Sequence, residues 1–301
     1  MLREDSAVVP VEKKVMCTIF EDTNGISDIS WTPDSRFLLS GGHSREICIW
    51  EPKTRKKRGG MTGHTEFIGN VNVSPDGKKV LSCAYDSTVR VWDLINEREE
   101  QSFSQDISAH AAIWSEDGKT LTTAGKDGIV RFWDLISGKI VRKLTCHYRD
   151  VTALAHCSPS TFVTGSMDHS IKIWDIATGK RLDALHSHSD TVRKVLWNFS
   201  HGIVSCSDDK SIVHNRRRIY DTCSIYDVTA TGNFSEVVGA CRDRSVRIWD
   251  TFTGQVKMVL KGFKDWVDTV KYSPDGSCLA AGSSDNTIHV WKCSSLYDRP
   301  D

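Results

Sequence analysis

Histidine, hydroxyl and aspartate residues recur along this chain at a spacing that could support nucleophilic catalysis. In each set a histidine precedes a serine or threonine at a nearly constant distance, and an aspartate follows the hydroxyl residue one turn later. The sets are His64, Ser82 and Asp86; His147, Thr164 and Asp168; and His188, Ser205 and Asp209. A histidine held by an aspartate can activate a serine hydroxyl for attack. Because a catalytic triad is built once, whereas this set recurs, we interpret the sets as structural hydrogen-bonding groups and predict that the protein is not an enzyme.

A second pattern, of paired histidines and cysteines, could suggest a zinc site. Cys146 precedes His147 directly, and His156 precedes Cys157 directly. Neighbouring residues of a strand point to opposite faces, and this spacing is not one of the usual zinc patterns. The sequence has no P-loop, no GxGxxG and no HExxH, so we predict neither a metal nor a cofactor.

The elements that carry these residues repeat along the chain. Six tryptophans end short apolar stretches at an almost constant interval, which nearly doubles once, between the fourth and the fifth: Trp50, Trp92, Trp133, Trp174, Trp249 and Trp291. The long interval holds a further copy, because residues 211–215 align with residues 170–174 and place Asn215 where tryptophan is expected. Turns such as Pro-Asp-Gly at residues 75–77 and Thr-Gly at residues 178–179 divide each unit into four short strands. The sequence therefore predicts an all-β fold of seven similar units.

These residues resemble the repeats of the WD-repeat family. Its signature is Gly-His near the start and Trp-Asp near the end of a repeat of roughly 40–45 residues. The tryptophan is followed by aspartate in four units, and the resemblance covers residues 12–292. It implies one seven-bladed β-propeller over residues 12–293, with a flexible N-terminus at residues 1–11 and a tail at residues 294–301. It also implies two hydrogen-bonded structural tetrads, His64–Ser82–Asp86–Trp92 and His147–Thr164–Asp168–Trp174.

Both the ends of the chain and its fifth unit depart from the repeat. The last unit stops soon after Trp291, and residues 14–20 resemble residues 255–260 in fourth-strand position, so we expect an N-terminal strand to complete the last blade. In blade five, the distance from Asn215 to Asp221 is less than half of the usual one, from Trp50 to His64. We predict that blade five lacks its outer strand. Either this loss is native, or the sequence is a splice or gene-model variant.

The resemblance also implies a binding face, formed by the loops between blades and the turn before each aspartate. Aromatic residues and arginine, which dominate interface energies, are frequent there. The predicted partner-binding residues are His43, Phe67, Tyr85, His110, Lys126, Asp150, Met167, Arg193, Asp208, Tyr226, Arg242, Trp266, Asp268 and Ser284. The mixture of both charges with aromatic side chains favours a protein or peptide partner.

The charge balance and the cysteines give the remaining expectations. Lys+Arg and Asp+Glu each total 39, which argues against a nucleic-acid-binding protein. A basic run at residues 53–58 and an acidic run at residues 97–100 occupy equivalent places, and we expect them to face each other; a basic docking patch with arginines 216–218 is the alternative. No apolar run is long enough for a membrane span, and the ten cysteines occur singly, which favours the cytoplasm or the nucleus.

We therefore predict a non-enzymatic scaffold or adaptor that acts as a monomeric propeller in a multiprotein complex. The alternatives are a substrate-recognition subunit of a ubiquitin-ligase or chromatin complex and an RNA-processing-associated propeller.

Overall fold

The chain folds into a ring of seven β-sheets. The computed structural model describes residues 11–13, 18–21, 24–198 and 200–297. Two short N-terminal strands come first, β1 (Val11–Lys13) and β2 (Thr18–Glu21). Each sheet is then an antiparallel meander, and the innermost strand of each blade packs against that of the next. The ring is thus the predicted seven-bladed β-propeller.

The first four blades have four strands each. Blade one contains β3 (Ile26–Trp31), β4 (Leu38–Gly42), β5 (Glu46–Glu51) and β6 (Lys56–Thr62); blade two β7 (Ile68–Val73), β8 (Lys79–Ala84), β9 (Thr88–Asp93) and β10 (Arg98–Ser104); blade three β11 (Ala109–Trp114), β12 (Thr120–Gly125), β13 (Ile129–Asp134) and β14 (Lys139–Thr145); blade four β15 (Val151–Ser158), β16 (Thr161–Ser166), β17 (Ile171–Asp175) and β18 (Arg181–Leu185).

The last three blades follow the same order, and a short helix ends the described chain. Blade five contains β19 (Val192–Asn198), β20 (Gly202–Ser207), β21 (Ser211–His214) and β22 (Arg217–Tyr220); blade six β23 (Ile225–Ala230), β24 (Glu236–Cys241), β25 (Ser245–Asp250) and β26 (Val256–Lys261); blade seven β27 (Val267–Tyr272), β28 (Cys278–Ser283) and β29 (Thr287–Lys292), followed by α1 (Cys293–Tyr297).

The hydrophobic core lies between the blades. Seven clusters of buried apolar side chains occur in the described residues, and each joins two neighbouring blades. The second strand of a blade is buried on both faces, as in β4, whereas an outer strand such as β14 alternates between exposed and half-buried residues. A single blade could not bury these faces alone, so each depends on its neighbours.

The ring closes through the N-terminal strand, as the sequence predicted. Strand β2 pairs antiparallel with β29, with Phe20 opposite Ile288, and supplies the fourth strand of blade seven. Phe20 is buried and contacts the Trp50 ring at a centroid distance of 5.1 Å in the core between blades seven and one. Residues 14–17 of the predicted strand lie outside the described residues. Unexpectedly, β1 pairs parallel with β26 and adds a fifth strand to blade six.

The prediction that blade five lacks its outer strand is wrong. Strand β22 pairs with β21 along four residues. The connection between the two strands is a two-residue turn, in which Asn215 and Arg216 have φ values of 48° and 67°. Two consecutive positive φ values define a type I′ hairpin, the tightest link between antiparallel strands. Compared with blades one to four, blade five therefore has a shorter turn and shorter third and fourth strands. Its outer strand is present but short.

The predicted C-terminal tail is also partly ordered. Residues 293–297 form α1, and Leu296 is fully buried in the core between blades six and seven. The remaining residues of that tail, like residues 1–10, lie outside the described part. Within the described part, no helix has the length and apolar character needed to cross a membrane.

Deleting residues 1–20 should destabilise the entire ring. The deletion removes most of β2 and the buried Phe20 side chain, whose loss alone costs about 3 kcal/mol or more of unfolding free energy. We expect a single, clearly lower thermal midpoint by circular dichroism. Deleting residues 1–10 keeps both N-terminal strands and should leave the midpoint unchanged. Equal midpoints for the two truncated chains would contradict closure by β2.

Candidate partner-binding face

The predicted tetrads are hydrogen-bonded chains that run from the protein core towards one face. In blade two, Trp92 Nε1 donates to Ser82 Oγ (2.8 Å), which lies 2.7 Å from His64 Nε2. His64 Nδ1 lies 2.9 Å from Asp86 Oδ2. An indole nitrogen can only donate and a carboxylate can only accept, so the chain has one direction, from tryptophan to aspartate. Each buried polar group of the tetrad therefore has a hydrogen-bond partner. This arrangement is consistent with a structural role.

Blade four forms the same tetrad. His147 lies 2.8 Å from Asp168 Oδ2 and 2.7 Å from Thr164 Oγ1, to which Trp174 donates at 3.0 Å. Burial lowers the pKa of His147 to about 4, although the Asp168 carboxylate opposes the shift. Both ring nitrogens of His147 are engaged in this chain, since Nδ1–H donates to Asp168 and Nε2 accepts from Thr164, so neither is free to bind a zinc ion.

Two other blades replace members of the tetrad with different chemistry. In blade three, Gln105 stands in the histidine position and accepts from Thr123 Oγ1 at 3.3 Å. In blade six, Asp221 stands in that position, and the Arg247 guanidinium binds both Asp221 and Asp243. Gly239 stands where the hydroxyl would be, and Trp249 Nε1 has no hydrogen-bond partner among the described residues. Arg247 therefore neutralises two carboxylates that would otherwise repel.

One group of potential metal ligands lies beside this arginine. Cys223, Cys241 and Asp243 place their ligand atoms within 4.8 Å of one another. Asp243 already accepts hydrogen bonds from Ser245 (2.6 Å) and Arg247. The guanidinium would repel a cation, so the arrangement favours an internal ion pair.

The predicted partner-binding residues surround the mouth of the central channel. Every innermost strand contains a β-bulge, which turns one extra residue towards the channel. The bulged residues are Ser27, Gly69, His110, Thr152, Arg193, Tyr226 and Asp268. All seven line a cavity of about 330 Å³ at the mouth. Sequence reasoning found four of them and missed Ser27, Gly69 and Thr152; the available signal was their nearly constant distance before the turn aspartate or its substitute Ser44.

Nine of the fourteen predicted residues line this cavity: His43, Phe67, Tyr85, His110, Met167, Arg193, Tyr226, Asp268 and Ser284. The other five contact them. Lys126 lies over the Tyr85 ring at 5.7 Å, and Asp150 is 3.3 Å from His110. Asp208 accepts from Arg193 at 2.9 Å, while Arg242 lies over Tyr226 and also over Trp266. The fourteen residues therefore surround one cavity, and we call them the channel-mouth surface.

One half of the channel-mouth surface is a stack of rings. His43 stacks on Phe67 at 4.9 Å, and Phe67 stacks on Tyr85 at 3.8 Å. Tyr85 then meets His110 edge-on at 5.7 Å. Burial lowers the pKa of His110, against the opposing effect of Asp150. This half is therefore formed mainly by stacked rings, with Asp150 and Lys126 at their edges.

The other half alternates arginines with aromatic rings. Arg193 lies 4.6 Å from the Tyr226 ring centroid, and Arg242 lies 4.5 Å from the same ring and 4.4 Å from that of Trp266. Asp268 accepts from Ser284 Oγ at 2.5 Å, and burial raises the pKa of its carboxyl to about 6. Trp266 remains 46% exposed.

Below the mouth, the channel wall carries charges that neutralise one another. Asp227 accepts from Thr269 Oγ1 at 3.0 Å and from the Lys271 ammonium. Burial would lower the pKa of Lys194, but Asp227 and Asp28 outweigh it and raise that pKa. No sequence signal marks these residues, because their grouping depends on how the blades are arranged around the axis.

Several charged residues of the outer-rim runs pair within the protein. Arg58 meets Glu97 of the next blade at 3.8 Å, whereas Lys57 pairs with Glu46 of its own blade at 2.9 Å. Arg217 donates to backbone carbonyls of the Phe252 turn, and Arg218 lies 3.2 Å from Asp209. The basic and acidic runs therefore face each other through one ion pair, Arg58–Glu97. Arg217 and Arg218 are engaged within the protein and do not form a free basic patch.

Comparison with known proteins agrees with this architecture. The WD40 family model, described as WD domain, G-beta repeat, matches residues 13–51, 55–93, 100–134, 138–175, 179–214 and 254–292. The chain belongs to this family. The longest unmatched stretch, 215–253, contains the outer strand β22 of blade five and three strands of blade six, where Asp221 and Gly239 replace the histidine and the hydroxyl.

Several curated WD40 relatives match shorter parts of the chain. MST50-interacting protein 11 of Pyricularia oryzae is 30% identical over 28% of this chain and 26% of its own length. Small ribosomal subunit protein RACK1 of Neurospora crassa is 28% identical over 31% of this chain and 30% of its own length. Anaphase-promoting complex subunit cdh1 of Dictyostelium discoideum is 30% identical over 28% of this chain and 11% of its own length. The matched stretches thus span less than a third of each relative.

The tetrads predict a measurable difference between blades two and five. Ser82→Ala leaves His64 Nε2 and Trp92 Nε1 without a partner, at about 1–3 kcal/mol for each buried group. Ser205→Ala in blade five affects only His188, because that blade has no tryptophan at the equivalent position. Urea unfolding should give a loss of unfolding free energy about twice as large for Ser82→Ala. Equal losses would contradict the tetrad geometry.

Proposed function

We propose that this protein is a non-enzymatic scaffold or adaptor that binds partner proteins or peptides on the channel-mouth surface. The observation that carries the proposal is that side chains from all seven blades line one cavity at the channel mouth. Ring–ring, cation–π and ion-pair contacts link six of the fourteen side chains around Tyr85 and five around Tyr226, and members of both groups line the cavity. Three of them, His43, Lys126 and Trp266, are exposed, and the others are half-buried.

The residue types favour a protein partner. Tryptophan, tyrosine and arginine contribute most to binding energy when a partner covers them. Here Arg193 and Arg242 are already ordered against Tyr226, so little side-chain entropy remains to be lost on binding. The ring stack of Phe67 and Tyr85 offers an apolar anchor site, and the arginine half offers hydrogen-bond donors at its edge.

The names of the relatives support partner binding within a larger assembly. One is called an interacting protein, and another is named as a subunit of the anaphase-promoting complex. We propose an intracellular multiprotein complex, in the cytoplasm or the nucleus, with the propeller present as a single copy. Substrate recognition in a ubiquitin-ligase or chromatin complex is the second candidate. RNA binding has less support, because arginines 217 and 218 are engaged within the protein.

Affinity capture with paired variants tests the proposal. Tyr85→Ala and Trp266→Ala alter the channel-mouth surface, and Phe252→Ala alters a comparably apolar ring that is 84% exposed on the opposite face. Tagged proteins expressed at equal levels should recover the same partners for the wild type and Phe252→Ala. At least one partner should fall about tenfold or more in the channel-mouth variants, as expected for loss of an interface aromatic anchor.

Two outcomes of this capture would oppose the proposal. Partner sets that do not change in either channel-mouth variant would exclude this surface. Partners lost with Phe252→Ala alone would move the binding site to the opposite face. Recovery of ubiquitin-ligase subunits that depend on Trp266 would favour the second candidate.

A further inference from the structure

The space between blades four and five differs from the space between the other blades. The buried apolar cluster there contains six residues among those described, whereas the other six clusters contain between nine and thirteen. The difference coincides with Asn215, which stands in the tryptophan position of blade five. The residue is in register with that position, because its backbone nitrogen donates to Ile203 at 3.3 Å. An indole is therefore missing where its neighbours still provide a site for one.

A cavity of about 200 Å³ lies at this place. Its apolar walls are formed by Ile171, Ile173 and Leu185 from blade four and by Ile203 and Val213 from blade five. Polar side chains also line it, among them Asp183, Ser187 and Arg216. An engineered apolar cavity of about 150 Å³ in another protein binds benzene. A cavity of this size with apolar walls is therefore suited to a bicyclic aromatic ring.

One polar group of the cavity, the Ser205 hydroxyl, is placed to accept a hydrogen bond from an indole ring. In blades one to four, a tryptophan Nε1 donates to a serine or threonine hydroxyl on the second strand, at 2.8 to 3.0 Å. In blade five the corresponding hydroxyl is that of Ser205, which lines the cavity and lies 2.8 Å from His188 Nε2. Within the described residues, no indole donates to this hydroxyl. Ser205 thus retains the acceptor that the missing tryptophan would have used.

A second unpaired group belongs to a residue that lines the same cavity. Trp197 lines it, and its Nε1 is buried without a hydrogen-bond partner among the described residues. The corresponding tryptophans of blades one and three do find partners, since Trp31 donates to Lys271 O (3.4 Å) and Trp114 to Asn72 O (3.1 Å). A buried donor without an acceptor is costly, and a ligand with a polar or π-electron acceptor would relieve that cost.

We propose that this cavity is a binding site for a small planar aromatic heterocycle with an N–H donor, of the indole class. The ring occupies the place that tryptophan fills in blades one to four, and its N–H donates to Ser205 Oγ. The site lies between blades four and five, away from the channel-mouth surface, and it does not depend on the proposed partner binding.

The test is a titration with indole and with indene, which has the same shape but no N–H. Binding is followed by the ¹H–¹⁵N signal of the Trp197 indole, identified by its loss in Trp197→Phe. We expect saturable binding of both compounds, with indole bound about fivefold more tightly, the factor that one net hydrogen bond supplies. Ser205→Ala should remove the preference for indole while indene still binds. Ser82→Ala, which removes the hydroxyl of a blade that keeps its tryptophan, should leave both affinities unchanged.

Filling the cavity provides the complementary test. Asn215→Trp should abolish indole binding and raise the thermal midpoint. Because residue 215 has a positive φ, which disfavours a bulky side chain, Val213→Phe fills the same space from strand β21 as an alternative. The proposal is overturned if the wild type shows no saturable binding, if indole and indene bind equally, or if binding persists in both folded filling variants.

Discussion

The constraint on which this structure depends is that no blade can bury its own faces. Each of the seven hydrophobic clusters in the described residues takes its side chains from two neighbouring blades, so the core is a circle of seven interfaces. If the circle were open, the first and last blades would each expose an apolar face, so the ring is stable only when it is closed. Pairing of β2 with β29 places the N-terminal part of the chain in the last blade, and Phe20 then fills the interface between blades seven and one.

The same constraint explains why individual repeats can vary. In blades two and four a tetrad holds the loop before the blade to the second and third strands. Blade six has lost the histidine and the hydroxyl, yet Arg247 bridges Asp221 and Asp243 in their place, and the interfaces on both sides of this blade are well filled. Blade five has kept the hydrogen bonds of His188 but lost the indole, and the buried apolar cluster that it shares with blade four has the fewest residues among those described. Packing against neighbours therefore maintains the ring where a local network is incomplete.

The number and order of the blades could be predicted from the sequence, because the spacing of the tryptophans and of the turn aspartates equals the length of one blade. Closure was predictable because residues 14–20 resemble a fourth strand. The outer strand of blade five was missed because a residue count cannot tell a lost strand from a shortened hairpin, and the positive φ of Asn215 and Arg216 decides between them. The parallel strand β1 has no counterpart in any repeat, so periodicity could not indicate it.

The channel-mouth surface was predicted as a set of residues, but not as a set of contacts. Its bulged members depart from strict alternation, and the arginine–aromatic half depends on rings from different blades meeting across the mouth, as Arg242 does with Tyr226 and Trp266.

Native-state hydrogen exchange tests most directly whether the ring is one cooperative unit closed by β2. The slowest backbone amides of blade seven, such as those of Leu279 in β28 and Val290 in β29, should exchange with the same free energy of opening as that of Leu81 in blade two. Added denaturant should lower all of these free energies together. Blade-seven amides that exchange about tenfold or more faster, through an opening of their own, would contradict the account.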